Sequence, residues 1–229
     1  MTGCKINLDF KRADKALIDE LKNFAVANID DNMSRTAALS ADIRPRNCSP
    51  LFGSAFTVRV APGDNLFFHE AMELAQPGDV IMIDAGGFLN RAIFGEIMVT
   101  FCRKRGFNGI VVDGSIRDSE AISKLTDFAV YSKGITPNGP YKNGPGEIGT
   151  VITVGGKVVK PGDIVIGDAD GVVVIDPADA PAIIEATKKT QEKESKTLEY
   201  LNKNGKYKTH DFMKPILEKL GCEGIENAK

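Results

Sequence analysis

Several features that mark common classes of protein are missing from this chain of 229 residues. No segment approaches the roughly 20 consecutive apolar residues that span a bilayer, and the N-terminus has no apolar core of signal-peptide length. The four cysteines show no C-x-x-C spacing, which fits reduced thiols better than a disulfide scaffold or a zinc site. These absences lead us to expect a soluble, cytoplasmic protein without a membrane partner.

Charge and histidine content narrow the possibilities further. A formal net charge of -2 gives no electrostatic reason to expect nucleic acid as a partner. Only two histidines are present, His69 and His210, and neither belongs to an H-x-x-x-H or H-E-x-x-H pattern. Any bound metal would therefore be held by carboxylates, carbonyls and water, which suit Mg²⁺ or Mn²⁺ better than Zn²⁺.

Nucleotide-binding and hydrolase signatures are also absent. No G-x-G-x-x-G directly follows a predicted strand, and no G-x-x-x-x-G-K-[ST] or G-x-S-x-G occurs. Neither histidine has an evident serine or cysteine partner. Lys124, Lys133 and Lys157 could each be proposed as Schiff-base nucleophiles, but nothing separates them from solvated surface lysines. The candidates for chemistry that remain are carboxylates.

The apolar pattern alternates between helical and strand periodicity. Amphipathic helices are predicted over about residues 14–28, 65–75 and 91–106, and buried strands before them and between them. Two of these strands run into glycines, in "IDAGGFLN" and "VVDGSIRD", and strand ends of this kind are where α/β folds place ligands. The rhythm predicts an α/β fold.

The second part of the chain, from Gly146, has a different residue pattern. There, β-branched runs broken by "GG", "PGD" and "DADG" predict short antiparallel strands. A long, increasingly polar helix is predicted to open at Asp176 and Pro177, and a short helix follows near the C-terminus. We expect a main domain over residues 1–203 and a C-terminal helical extension over residues 204–229.

Two opposite charges stand side by side in "VVDGSIRDSE". Arg117 and Asp118 are neighbours, and neighbouring side chains point apart on a helix or a strand, so we expect each charge to have its own partner. The alternative is that Asp118 caps a short helix over "SEAISKL" while Arg117 is a solvated loop residue. Glu96, in the first turns of the helix after "DAGG", is separated from Arg117 by twenty residues.

The stretch from "GDVIMIDAGG" through "GEIMVTFCRKRGFNGIVVDGSIRD" resembles the class II aldolases for 4-hydroxy-4-methyl-2-oxoglutarate and 4-carboxy-4-hydroxy-2-oxoadipate. These enzymes share their fold with regulator of ribonuclease activity A, and "KPGDIVIGDADGVVVI" is similar to the family's late hairpin region. The resemblance covers about residues 14–200. It implies a layered, swivelling β/β/α-type domain with outer helices, assembled as a homotrimer or hexamer with sites between subunits.

The resemblance also implies roles for individual residues. Asp118 would be the direct protein ligand of a divalent cation, Mg²⁺ or Mn²⁺, and Arg117 would hold the 2-oxo-acid end of the substrate and stabilise the enolate oxygen. The backbone amides that would bind the pyruvyl carboxylate are those of Gly95, Glu96, Ile97 and Met98. Family members usually carry Asp where this chain has Glu96, so the charge is retained with a longer reach.

A glutamate from a neighbouring subunit completes the family's metal site through water. On this chain Glu194 in "QEKES" matches it best, with Glu192 as a close rival. The base that removes the proton from the C4 hydroxyl would be water polarised by Glu96 or Glu194.

The function implied is metal-dependent retro-aldol cleavage of a 4-hydroxy-2-oxo acid, which releases pyruvate and a second oxo acid. Oxaloacetate decarboxylation would be a natural side reaction. One alternative is a ribonuclease-regulator-like binding protein that catalyses nothing, although that relative lacks the Arg-Asp pair kept here. Another is a fold relative whose metal site handles oxaloacetate alone or a sugar-derived oxo acid.

Overall fold

The structure is a computed structural model that describes residues 3–205 and 209–222, without the side chains of residues 209–212. The described residues fall into two compact units: those up to Thr187 form the first and those from Lys188 form the second. The domain boundary predicted between residues 203 and 204 stays a prediction.

The first unit is built around a mixed sheet. Among the described residues it has nine strands, in the order β1-β7-β3-β4-β5-β6-β2, with β10 paired to β3 and to β11, while β8 and β9 form a separate hairpin. The strands are β1 (Cys4–Ile6), β2 (Arg44–Pro45), β3 (Leu51–Val60), β4 (Asp79–Phe94), β5 (Gly109–Ile116), β6 (Ala129–Ile135), β7 (Gly146–Ile148), β8 (Ile152–Val154), β9 (Lys157–Val159), β10 (Ile164–Gly167) and β11 (Val172–Ile175).

The described helices are α1 (Lys15–Leu21), α2 (Val26–Asp31), α3 (Leu66–Leu74), α4 (Glu96–Lys104), α5 (Ser119–Ser123), α6 (Ala180–Asn204) and α7 (Thr209–Lys219). Helices α1 to α5 lie in the first unit, α6 runs from the first unit into the second, and α7 lies in the second. In the described part of the chain, none of them is both long and apolar enough to cross a membrane. The predicted α/β class, with helices outside a β structure and a C-terminal helix, is confirmed.

The helix predicted over residues 14–28 is two helices. The first ends at Leu21, and the second begins at Val26, whose amide donates to the carboxylate of Asp168 at 3.0 Å. The first amides of a helix have no acceptor within that helix. The Asp168 carboxylate supplies one for Val26, so a second helix can start at Val26. Ile18 and Leu21 are buried, and Leu17 and Phe24 pack against the same cluster, so apolar residues from both sides of the break gave the spacing of one helical stripe.

The helix predicted over residues 91–106 begins later, at Glu96, because β4 continues to Phe94. Phe94 pairs with Ile116 of β5, and three register shifts along the β4–β5 ladder let the strand bend on its way there. Gly86 and Gly87 have φ of 64° and 67° inside the strand. The glycines of "DAGG" therefore mark a distortion within β4 and not its end.

Two apolar layers flank the sheet and fix its orientation. One face packs Ile81, Ile110 and Val130 under α3 and α4, and the other packs Met82 and Val111 under the β8–β9 hairpin. Strands β3, β4, β5 and β6 are mutually parallel, so the carboxyl ends of β4, β5 and β6 meet at one edge. The residues that follow these strands are brought together there.

Candidate active site

Asp118 follows β5 in a strained backbone conformation. Its φ of 56° and ψ of 36° are left-handed, which is uncommon for a residue with a side chain and occurs frequently at functional sites. It stands at the N-cap position of α5, as the capping alternative required, but its side chain makes no capping hydrogen bond there. Instead Oδ2 accepts the backbone N–H of Glu96 at 3.0 Å, so the carboxylate is turned toward the start of α4.

Gly95, which follows β4, lies so close to Arg117 and Asp118 that no side chain fits at this position. A Cβ added to Gly95 would overlap Oδ2 of Asp118 and would lie 2.8 Å from Cγ of Arg117. The absent side chain thus lets the end of β4 approach the Arg117–Asp118 pair closely. Sequence reasoning placed Gly95 in the site for its amide and missed this steric role.

The first turn of α4 presents backbone donors at the same place. The first hydrogen bond of the helix runs from the amide of Val99 to the carbonyl of Gly95 at 3.1 Å, which leaves the earlier amides without partners inside the helix. The amide of Glu96 is used by Asp118, and no acceptor for the amides of Ile97 and Met98 lies among the described residues. Free donors at a helix start favour an anion.

Arg117 is nearer to Asp118 than the alternation of side chains predicted. Its Nε lies 3.7 Å from Oδ2 of Asp118, because the left-handed turn swings the carboxylate back toward the preceding residue. The two charges therefore lie within ion-pairing distance, while Asp118 also has a partner of its own in the amide of Glu96. Both side chains remain a little over 40% exposed, at 43% and 42%, so each can still reach a ligand.

A second arginine, which sequence reasoning missed, holds the loop beside Arg117. Arg91 donates to the carbonyl of Gly139 at 2.9 Å and to the hydroxyl of Tyr141 at 2.7 Å, and its guanidinium stacks 4.0 Å from that ring. A Cβ added to Gly139 would lie 3.3 Å from Nη1 of Arg117. No local pattern links residues 91 and 141, so this contact had no sequence signal.

The donor set suits a hard cation better than a zinc-type centre. The described residues hold no group of three or more His, Cys, Asp or Glu side chains that could bind a metal. Mg²⁺ and Mn²⁺ keep several waters and commonly take only one or two carboxylates from the protein. The half-exposed carboxylate of Asp118, with exposed Glu96 starting the adjacent helix, fits that requirement.

The predicted site residues divide between the two units. Gly95, Arg117 and Asp118 come together in the first unit, with the α4 amides beside them. Glu192 and Glu194 lie on an exposed stretch of α6 in the second unit.

The RraA-like family model, described as Aldolase/RraA, matches residues 26–174. The chain belongs to the Aldolase/RraA family. A Halalkalibacterium halodurans protein, provisionally named a 4-hydroxy-4-methyl-2-oxoglutarate aldolase, is 39% identical over 181 residues, which are 79% of this chain and 86% of that protein. The resemblance drawn from the sequence is confirmed at the level of the Aldolase/RraA family.

Solved structures share the Aldolase/RraA fold. Streptomyces coelicolor RraAS2, an unusual member of the RNase ES inhibitor RraA protein family, is 26% identical with a TM-score of 0.72, over 80% of this chain and 97% of that one. An uncharacterized Pseudomonas syringae protein is similar in fold alone, at 20% identity, with a TM-score of 0.75 over 85% of this chain and 96% of that one. The family therefore includes proteins named for catalysis and proteins named for inhibition.

Proposed function

We propose that this chain is a divalent-metal-dependent aldolase that cleaves a 4-hydroxy-2-oxo acid to pyruvate and a second oxo acid. The observation that carries the proposal is the Asp118 carboxylate held at the start of α4 with Arg117 beside it. The name of the Halalkalibacterium halodurans relative supports the same reaction class. Oxaloacetate, which also has a 2-oxo-acid end, would be decarboxylated as a side reaction.

The reaction breaks the C3–C4 bond and leaves its electron pair on the pyruvyl fragment. Mg²⁺ or Mn²⁺ held by Asp118 would supply Lewis-acid stabilisation of the negative charge that develops on the 2-oxo oxygen. Arg117 presents a planar cationic fork to the same oxygen, and the amides of Ile97 and Met98 hold the adjacent carboxylate. These groups would bind the pyruvyl fragment more tightly in the transition state, where it gains negative charge, than in the bound substrate. That difference would accelerate cleavage.

A proton must leave the C4 hydroxyl as the bond breaks, so that C4 becomes a carbonyl. Neither histidine lies in the sequence near the Arg-Asp pair. Glu96 would accept this proton through a water molecule, with Glu194 as its alternative, and C3 of the pyruvyl fragment would be protonated afterwards. The extra methylene of Glu96, relative to the family's usual Asp, lengthens the reach of this group.

We expect chelation to abolish turnover. Full-length protein would be assayed for pyruvate release from a panel of 4-hydroxy-2-oxo acids, with EDTA and then with added Mg²⁺ or Mn²⁺. Borohydride added with substrate should leave activity intact, because no lysine forms a Schiff base in this reaction. Activity that persists in chelator, or a lysine trapped by borohydride, would contradict the proposal.

We also propose that the site is completed across a subunit interface in a homotrimer or hexamer, with Glu194, or else Glu192, supplied by the neighbour. An apolar groove of about 630 Å³, lined in part by Leu66, Ile97 and Phe101, supports an interface next to the start of α4. Ile97 is 80% exposed in the single chain and Leu66, in the same groove, is 41% exposed, so the groove presents contiguous apolar surface of the kind that marks interaction sites.

Subunit complementation tests the shared site. An Arg117→Lys chain and a Glu194→Gln chain should each be nearly inactive alone. Mixed and reassembled, they should recover part of the pyruvate-release rate, because some interfaces then pair an intact Arg117 with an intact Glu194. A Glu192→Gln chain serves as the matched control and should be active alone. If it is inactive alone and regains activity with the Arg117→Lys chain, while Glu194→Gln is active alone, the role belongs to Glu192. Absence of recovery with either chain would contradict a shared site.

The second candidate is a binding protein that acts on a ribonuclease and catalyses nothing. It is favoured by the likeness to RraAS2, which is described as belonging to an RNase inhibitor family. This alternative assigns no role to the Arg117–Asp118 pair, and it predicts no pyruvate release with any metal. A full panel without turnover would favour it.

A further inference from the structure

A cavity lies at the sheet edge formed by β2 and β6, and the proposed reaction does not use it. Its volume is about 470 Å³, and it is lined by the segment that follows β2, by the end of α5 and by the loop after β10. The polar or reactive side chains in its wall belong to Arg46, Asn47, Cys48, Ser49, Ser123, Tyr131 and Asp168. None of these residues takes part in the Arg117–Asp118 site.

Arg46 is the positive charge in this wall, and its partners are neutral. Its Nε donates to Oγ of Ser132 at 2.6 Å and its Nη2 to the carbonyl of Ser132 at 2.7 Å. In the described part of the chain no carboxylate lies within ion-pairing distance of it. Burial, followed by repulsion from Arg44, lowers the pKa of Arg46. A partly desolvated guanidinium without an anion is energetically costly.

Asp168 lines the same cavity but does not neutralise Arg46. Its Oδ2 accepts the amide of Val26 at 3.0 Å, and its Oδ1 accepts the amide of Asp170 at 2.9 Å. The nearby hydroxyl of Tyr131 is also engaged, since it donates to the carbonyl of Asp168 at 2.7 Å. The acidic and phenolic groups of this wall are therefore occupied by the fold, while the guanidinium retains unused donors.

We propose that this cavity binds a compact oxyanion, the carboxylate or phosphate group of a small molecule, on the guanidinium of Arg46. A guanidinium has five N–H donors in a fork that matches two oxygens of such a group, and Ser132 occupies only two of them. Ser132 holds the head group of Arg46 in one orientation, so little side-chain entropy is lost on binding. The site is independent of the proposed aldolase reaction.

Protection of Cys48 provides a test in the unaltered protein. Cys48 is exposed and lines the cavity, whereas Cys4 and Cys222 are exposed outside it. Inorganic phosphate and, in a separate arm, acetate would be titrated at constant ionic strength while alkylation of each thiol by neutral iodoacetamide is followed by mass spectrometry. At least one anion should slow alkylation of Cys48 saturably and leave Cys4 and Cys222 unchanged. The arm that gives the stronger protection identifies the phosphate or the carboxylate.

Two charge-matched variants test the role of Arg46. Arg46→Gln should weaken the protecting anion on the order of tenfold or more, because charge-assisted hydrogen bonds are lost. Arg44→Gln removes the same charge from an exposed neighbour and should leave the affinity nearly unchanged. If Arg46→Gln does not fold, the decision rests on Cys48 in the unaltered chain. Absence of saturable protection with both anions, or equal weakening in the two variants, would overturn the proposal.

Discussion

Replacing Arg117 by lysine is expected to lower kcat/KM by on the order of a hundredfold or more, since one oxyanion-stabilising donor is typically worth about 3 kcal/mol. Lysine keeps the positive charge but loses the planar fork that can contact the 2-oxo oxygen and a neighbouring oxygen together. Arg117 is 43% exposed, so its ion pair with Asp118 contributes little to stability and the fold should tolerate the change. The loss would therefore report on chemistry.

Asp118→Asn provides the matched comparison for Arg117→Lys. Asparagine can still accept the amide of Glu96 through its side-chain oxygen, so the contact with α4 is retained while the carboxylate proposed to bind the metal is lost. Raising Mn²⁺ should restore part of the activity of this variant, whereas no Mn²⁺ concentration should restore Arg117→Lys. The measurement is the steady-state rate of pyruvate release against Mn²⁺ concentration for each variant.

The control for Arg117→Lys is Arg103→Lys, at the far end of α4. Arg103 is 39% exposed and pairs with Asp127, so it resembles Arg117 in exposure and in having a carboxylate partner. We expect this variant to keep near-normal kcat/KM. If Arg117→Lys behaves in the same way with the best substrate, the role assigned to Arg117 is wrong.

The sequence predicted correctly the elements that are formed by local interactions, and it failed where an element depends on pairing with a distant part of the chain. The helix predicted over residues 65–75 is observed at Leu66–Leu74 because its apolar stripe is complete within its own length. Ile93 and Phe94 also fitted a helical stripe, but pairing of Phe94 with Ile116, 22 residues later, makes them strand residues. A periodicity confined to one segment carries no information about such a pairing.

The candidate site also has features that the sequence alone could indicate and features that depend on long-range contacts. The Arg117–Asp118 pair and Glu96 could be proposed as site residues because their residue types, their spacing and the family resemblance are visible in the chain. The left-handed conformation of Asp118, its bond to the Glu96 amide and the stacking of Arg91 on Tyr141 were not found. Each of these depends on the close approach of strands β4, β5 and β6 at one edge, which only the folded sheet defines.

Gly95→Ala is expected to remove most of the activity without unfolding the protein. The new methyl group would overlap Oδ2 of Asp118 and lie within 2.8 Å of Cγ of Arg117, so both side chains would have to move. Displacing the proposed metal ligand, Asp118, together with the proposed oxyanion donor, Arg117, should cost on the order of a hundredfold or more in kcat/KM. Overpacking of this kind typically costs about 1–3 kcal/mol of stability.

Gly109→Ala separates the loss of activity from the loss of stability. Gly109 is the first residue of β5, at the end of the strand away from Arg117 and Asp118. An added Cβ there would overlap the side chain of Leu51 and lie 2.8 Å from the carbonyl of Ala129. The steric conflict is comparable, but no proposed site residue is involved. Thermal unfolding should show similar destabilisation of both variants, and pyruvate release should fall steeply only for Gly95→Ala. If the two folded variants lose activity equally, the close approach at Gly95 does not serve the Arg117–Asp118 site.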